Sequence, residues 1–275
     1  MLKIGSHVSL SAPDYFLSSV RESLDNDASA MMIYTGAPQN SVRIPLERLK
    51  IDEGKQLWLS HGYDMESVII HAPYIINLAN LENPDTRQGS MEILAREISR
   101  SKAIGARYLV LHPGARLKAE TEEALKAVSD ALNELISDDQ LTVCLETMAG
   151  KGSEIGRSFE EIRTIIDGCR WPLEVCLDSC HVNDAGYDLS DIDSLLSQFD
   201  QIIGLDRLHV IHVNDSKNPP GAHKDRHANI GQGTIGLDNL RSLVHHPLLS
   251  GRIFILETPY IDGKSPYKKE IEMLR

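Results

Sequence analysis

Short runs rich in Val, Ile and Leu alternate along the chain with longer stretches whose apolar residues recur three and four positions apart. The runs are LKIGSHV, AMMIY, VIIHA, YLVLH, TVCLE, LEVCLD, LHVIHVND and RIFILE, eight in all. Between them lie helix-like stretches such as PDYFLSSVRESL, PLERLKIDEGKQLWLSHG, QGSMEILAREISRSKAIGA, TEEALKAVSDALNELIS, FEEIRTIIDGC and LSDIDSLLSQF. Strands joined by helices run parallel, and near-continuous apolar strands suit a sheet covered on both faces. Eight such units without a composition break predict an α/β fold, a closed (β/α)8 TIM barrel forming one domain over residues 1–275. An open doubly wound sheet would carry a Gly-rich phosphate loop after its first strand. GSHVSLSAPD is not one, and no organic cofactor is expected.

The composition, 41% hydrophobic and 25% charged, is that of a chain able to bury a large core. No apolar run approaches a membrane span and MLKIGSHVSL lacks a signal-peptide core, so no membrane association and a cytoplasmic location are expected. Cys144, Cys169, Cys176 and Cys180 form no C-x-x-C pair, which predicts buried reduced thiols rather than disulfides or a thiolate metal site. A formal net charge of -12 argues at first against a nucleic-acid partner.

Polar chemistry concentrates where such a barrel keeps it, at the C-terminal ends of strands. All the runs but AMMIY end in such residues: His7, His71, His112, Glu146, Asp178 with His181, His212 with Asp215, and Glu257. A single such residue is commonly a structural hydrogen-bonding group or a helix cap. Six strands in succession ending in His, Asp or Glu gather into one mouth groups that are costly to bury unless they are paired or hold cations. The loop VNDSKNPPGAHKDRHANIGQG adds Asp225 and His227, whose spacing of two would point both the same way from extended backbone. His223 shares that parity but reads as a solvent-facing loop residue, and His61, His245 and His246 read as surface. His209 and His212 differ by an odd number, so His212 is the ligand candidate and His209 is expected to pack under a helix.

Imidazole and carboxylate without thiolate suit Zn(II), Mn(II) or Fe(II). Nine candidates, His71, His112, Glu146, Asp178, His181, His212, Asp225, His227 and Glu257, would serve three ions if one of them bridges.

With these residues laid out, the chain closely resembles the endonuclease IV family of apurinic/apyrimidinic (AP) endonucleases. The resemblance rests on the ordered motifs GSHVS, HAPY, LHPG, LET, LDSCH, HVNDSKN, DRHANIGQGTIG and ETP. It implies three divalent metal ions, usually zinc, and a monomer acting on double-stranded DNA that contains abasic sites. His71 and His112 would hold the first ion, and Glu146 would bridge it to the second. Asp178, His212 and Glu257 would complete the second ion's set, and His181, Asp225 and His227 would hold the third. The resemblance also implies that Glu146 and Glu257 are catalytic. The cut would fall 5′ to the abasic sugar, leaving a 3′-hydroxyl and a 5′-deoxyribose phosphate, with 3′-blocking groups removed too.

Three dications would move the formal charge from -12 to -6, and local charge governs phosphate approach more than net charge does. By the same resemblance Tyr74, with Ile75 beside it, would enter the DNA. The loop TGAPQNSVR would touch it through Gln39, Asn40 and Arg43, although other members carry an Arg and Trp cluster there. Two rivals share some of these features: a metal-dependent sugar isomerase or epimerase of the same barrel type, which needs one or two ions, and a lesion-binding protein without turnover. The third ligand set favours the nuclease.

Overall fold

The computed structural model describes residues 2–275. Its strands in chain order are β1 (Lys3–His7), β2 (Ala30–Ile33), β3 (Val68–His71), β4 (Tyr108–Leu111), β5 (Thr142–Glu146), β6 (Glu174–Asp178), β7 (Leu208–His212), β8 (Asp215–Ser216), β9 (His227–Ala228) and β10 (Ile253–Leu256). Among the described residues, eight of these close into a parallel barrel in the order β1-β10-β7-β6-β5-β4-β3-β2, while β8 and β9 pair antiparallel within the loop after β7. Each predicted apolar run supplies one barrel strand. The closure between β1 and β2 depends on Gly5, where a Cβ would lie 1.7 Å from the Ala30 carbonyl oxygen.

The helices are α1 (Phe16–Asp25), α2 (Ile51–Ser60), α3 (Pro84–Ile104), α4 (Thr121–Leu135), α5 (Phe159–Asp167), α6 (Ser179–Ala185), α7 (Ile192–Ile202), α8 (Leu237–Val244) and α9 (Tyr267–Leu274). Their apolar faces cover the outside of the barrel with residues such as Phe16, Trp58, Leu94, Val128, Ile162 and Phe199. A separate interior cluster fills the barrel, where small Ala30, Cys144 and Cys176 alternate with Met32, Tyr108 and Val210. The four cysteines are free, and burial pushes the Cys176 thiol up to about 12. Caps mark three of the helix starts: the Asn83, Ser158 and Asp191 side chains each accept a backbone N–H of the first turn. Among the described residues, no helix is long and apolar enough to cross a membrane.

Two expectations fail for local reasons. His209 does not pack under a helix, because the register between β6 and β7 slips from Val175↔Leu208 to Cys176↔Val210. That bulge breaks the strict alternation on which parity rests. His209 therefore stacks on Tyr108 at 5.3 Å and lies 3.2 Å from its hydroxyl.

Arg43 does not face solvent. Its Nε donates to Glu97 Oε1 at 2.6 Å, with both side chains buried, and its Nη1 donates to the carbonyls of Ala37, Asn40 and Val42. Glu97 accepts in addition from Thr35 Oγ1 at 2.6 Å. Arg43 is thus a staple that gathers the loop after β2 onto α3, and the DNA-contacting role expected for it is corrected. Removing one partner of a buried pair strands the other charge, so Arg43→Ala should destabilise the fold by about 3–5 kcal/mol in urea melts. A loss below about 1 kcal/mol would show that the staple is dispensable.

Candidate metal centre

Glu146, the last residue of β5, is fully buried at the C-terminal mouth of the barrel and is met from both sides. Its Oε2 lies 3.1 Å from His71 Nε2 and 3.0 Å from His112 Nε2. Its Oε1 lies 3.1 Å from His212 Nδ1 and 3.4 Å from His181 Nδ1. His212 Nδ1 is also 3.0 Å from Glu257 Oε2 and 3.7 Å from Asp178 Oδ2. Further round the mouth, Asp225 Oδ1 is 3.1 Å from His181 Nε2 and 3.5 Å from His227 Nε2. Three overlapping groups result: His71 with His112 and Glu146; Glu146 with Asp178, His212 and Glu257; and Asp178 with His181 and His227. Within each group the potential ligand atoms lie within 4.8 Å of one another. Eight of the nine expected residues fall in these groups, with Asp178 in two rather than one, and Asp225 stands outside them against His181 and His227.

The local structure explains how each ring is aimed. His71 Nδ1 donates to the Ala72 carbonyl at 2.7 Å, His181 Nδ1 to the Thr147 carbonyl at 2.9 Å and His227 Nδ1 to the Glu257 carbonyl at 3.3 Å, so that Nε2 of each ring is turned toward the mouth. His212 is turned the other way, and its Nε2, like that of His227, is buried without a hydrogen-bond partner among the described residues. Asp178 ends β6 and also caps α6 by accepting the His181 N–H at 2.8 Å. One residue thereby sets the position of the next ligand. Asn214 donates to Asp178 Oδ2 at 2.7 Å and accepts the Glu257 N–H at 2.8 Å, tying the ends of β6, β7 and β10 together.

The ligand loop after β7 reaches the site differently from the sequence expectation. Asp225 is not extended but left-handed, with φ of 52°, a conformation that costs a non-glycine residue about 1 kcal/mol or more. It is held there by buried Asp184, whose Oδ2 accepts the Asp225 N–H at 3.0 Å and whose Oδ1 accepts Ser216 Oγ at 2.6 Å. Buried Asp215 collects the N–H groups of Gly231, Gly233 and Ile235 and so closes the returning segment. His223 is exposed, as expected, with Nδ1 donating to the Ala149 carbonyl at 2.8 Å.

Burial opposes charge on six of these groups, and pairing overrides it. Burial would raise Glu146, but His212 and His112 hold its carboxyl well below the usual range. Glu257 is likewise held low by His212, and Asp225 is brought to about 2 by His181 and His227. Burial would lower His181, yet Asp178, Asp225 and Glu146 raise it well above its ordinary value. His212 is raised by Glu257 and Glu146, and His112 by Glu146, each against burial. His7 lies outside the three groups and follows burial instead, down to about 4. Its ring meets Tyr34 edge-on at 4.7 Å, and Tyr34 packs on His71 at 5.0 Å.

Around this mouth Tyr74 is 54% exposed, Ile75 is half-buried, and Gln39 and Asn40 are exposed at the tip of the stapled loop. Sequence reasoning missed Asp184 and Asn214 and gave Asp215 only its strand-end place; all three contact ligands or their loop rather than forming the groups themselves. The signal available for Asn214 and Asp215 was their place directly after a strand end.

The xylose isomerase-like TIM barrel family model matches residues 20–275. The chain is 51% identical to a probable endonuclease 4 of Geobacillus sp. (strain WCH70), covering 100% of this chain and 95% of that relative. Among solved structures, endonuclease IV from Thermus thermophilus superposes with a TM-score of 0.86 at 30% identity, covering 98% of this chain and 97% of that one. A D-tagatose 3-epimerase-like protein shares the fold at a TM-score of 0.71 and 20% identity, covering 98% of this chain and 95% of that one. With full-length identity of this order to endonuclease 4 and endonuclease IV, the chain belongs to the endonuclease IV family.

Proposed function

We propose that this chain is a metal-dependent AP endonuclease of DNA repair, working as a monomer in the cytoplasm on double-stranded DNA that contains abasic sites. It hydrolyses the phosphodiester 5′ to the abasic sugar, leaving a 3′-hydroxyl and a 5′-deoxyribose phosphate, and it also removes 3′-blocking groups. The observation that carries this reading is the sharing of Glu146 and Asp178 among three groups of ligand-type side chains at one mouth.

Three divalent ions fit this donor set, and zinc fits it best. The inward atoms are imidazole nitrogens and carboxylate oxygens, the buried Nε2 of His227 among them lacks a hydrogen-bond partner, and no thiol belongs to any of the groups. Glu146, His71 and His112 would hold the first ion; Glu146, Asp178, His212 and Glu257 the second; His181, Asp225 and His227 the third, with Asp178 at its edge. Bound there, such ions supply Lewis acidity, bringing the pKa of water toward neutrality and offsetting phosphoryl charge.

The chain's own residues do the remaining work. Glu146, kept as a carboxylate, holds two of the groups at a fixed separation. Glu257 is more open than Glu146, with 15% of its side chain exposed against 1%, and can receive the proton of an attacking water. Water adds to phosphorus, the bond to the 3′-oxygen breaks, and that oxygen leaves with the electron pair and takes up a proton. Tyr74 and Ile75, with Gln39 and Asn40, would meet the duplex at the rim. The third group, with His181 and His227, favours this reading over an epimerase, which needs fewer ions.

Metal-replete protein is expected to nick a duplex at a single abasic site and leave an undamaged duplex intact, as read on a denaturing gel. Glu146→Gln should cost more than the ~10–100-fold associated with outer partners of a metal site. Asp225→Ala with His227→Ala should remove about one ion in three by metal analysis, and unchanged metal content would defeat the assignment of the third group.

Stability should also depend on pH with a definite sign. His112, His181 and His212 are raised in the folded chain, so their contribution is complete below about pH 6.5 and fades as pH climbs. Glu146, Glu257 and Asp225 are depressed, so theirs is present above about pH 4.5 and fades as pH falls. Chelated protein should therefore melt highest between about pH 4.5 and 6.5, and its Tm should fall toward pH 8. Added zinc should remove that alkaline decline, because metal replaces the protons. A chelated protein that gains stability from pH 6.5 to 8 would contradict the pairing described.

A further inference from the structure

The loop after β10 leaves Glu257 and within four residues enters a tight hairpin. Asp262 and Gly263 have φ of 50° and 73°, the left-handed pair of a type I′ turn, and Ile261 and Lys264 exchange backbone hydrogen bonds of 3.0 and 2.9 Å across it. Its stem is tied down from two elements. Tyr267 Oη donates to the Thr258 carbonyl at 3.1 Å, while Asn229 Nδ2 donates to the Pro259 carbonyl at 2.9 Å and to buried Glu270 at 2.9 Å. Asn229 follows His227 by two residues, so the turn is braced against the ligand loop of the metal centre.

This rigid turn presents apolar and basic groups together. Tyr260 and Ile261 are 51% and 44% exposed, and beside them lies a groove of about 690 Å³ lined by Ile230, Ile261 and Met273 and by Lys264 and Lys269. Large apolar side chains exposed next to a site mark a contact surface. Asp262 and Glu272 also line the groove, yet among the described residues neither pairs with a lysine. The two lysines belong to a wider pattern. Among the described residues, six of the twelve lysines form no ion pair: Lys55, Lys151, Lys217, Lys224, Lys264 and Lys269. Lys55 is on α2, whereas the other five are exposed on the loops after β5, β7 and β10 or in the first turn of α9, at the mouth end of the barrel.

A strand of duplex DNA offers apolar sugar edges between phosphates spaced one per ~3.4 Å of helix axis, the mixture that such a groove suits. We infer that the turn and groove hold the sugar–phosphate backbone of one strand in the duplex arm beside the abasic site, with Lys264 and Lys269 on phosphates and Ile261 against a sugar. The inference rests on the function proposed above, and DNA is favoured over a protein segment because the groove continues the mouth that holds the metal centre. Seven residues separate Glu257 from Lys264 and span at most about 25 Å, so the contact falls within about seven base pairs of the scissile phosphate.

The test uses metal-replete protein and an abasic duplex whose scissile 3′-oxygen is replaced by methylene, so that binding is read without incision. Each phosphate contact adds about 0.9 to the slope of log Kd against log salt. Lys264→Ala with Lys269→Ala should lower that slope by nearly two, so that raising salt from about 50 to 200 mM weakens the double variant roughly tenfold less than the unsubstituted protein. Lys55→Ala, which removes an unpaired lysine away from the mouth, should leave the slope as it was. On a cleavable abasic duplex the double variant should raise KM and keep kcat and metal content. Trimming the duplex stepwise inward from about seven base pairs, on one side of the abasic site and then on the other, should abolish the difference between the two proteins from one side only. A slope unchanged in the double variant would give the groove to an acidic protein segment, an equal fall with Lys55→Ala would reduce the effect to net charge, and a difference that survives trimming of both arms would place the lysines elsewhere. Each of these overturns the inference. Failure of metal-replete protein to bind or incise abasic DNA would instead remove the nuclease reading itself, and this inference with it.

Discussion

The constraint on which the site depends is the burial of the Glu146 carboxylate at the mouth of a parallel barrel. An isolated carboxylate in that position would protonate, because burial disfavours its charge by several kcal/mol. It remains ionised because one oxygen faces His112 and the other faces His212 and His181. His71 also meets the first oxygen, so four strands and one short helix must end at matching heights around it. The closed parallel sheet supplies that condition, since its register places Glu146 beside Cys176 on β6, and Asp178 on the same strand beside His212 on β7.

A second ring of polar groups converts this convergence into a rigid constellation. Asn214 joins Asp178 to the backbone of Glu257, Thr147 meets both the Asp178 N–H and the His181 ring, and Asp184 and Asp215 hold the two halves of the ligand loop. Partners of this kind set ring orientation and tautomer, and they carry much of the affinity of a metal site. The left-handed backbone of Asp225 shows what the arrangement demands: a strained residue persists because Asp184 and the β8–β9 pair fix its surroundings.

Outside the centre the surface divides into elements that hold the loops and elements left to meet a partner. Arg43 and Glu97 turn inward and stiffen the loop after β2, so that Gln39, Asn40 and Val42 are presented on a fixed backbone. Tyr74 projects from the loop after β3. An acidic chain can serve an anionic substrate in this way, since the carboxylates that make its formal charge -12 include those gathered where cations would bind.

The sequence by itself determined the barrel and the list of ligand-type residues. Period-two and 3.6-residue patterns are set by local backbone geometry, and strand ends are the points where an apolar run meets a polar residue. Residues that depend on those two facts alone, from His71 to Glu257, were legible. What needed the tertiary structure was everything governed by contacts distant in sequence. A bulge against β6 redirected His209, a carboxylate 54 positions away drew Arg43 inward, and Asp184 bent Asp225 out of the extended form that its spacing suggested. Helix α6 is too short to show a period, yet it positions His181. Pattern along a chain specifies which face a residue occupies; which partner waits on that face is decided only when the barrel closes.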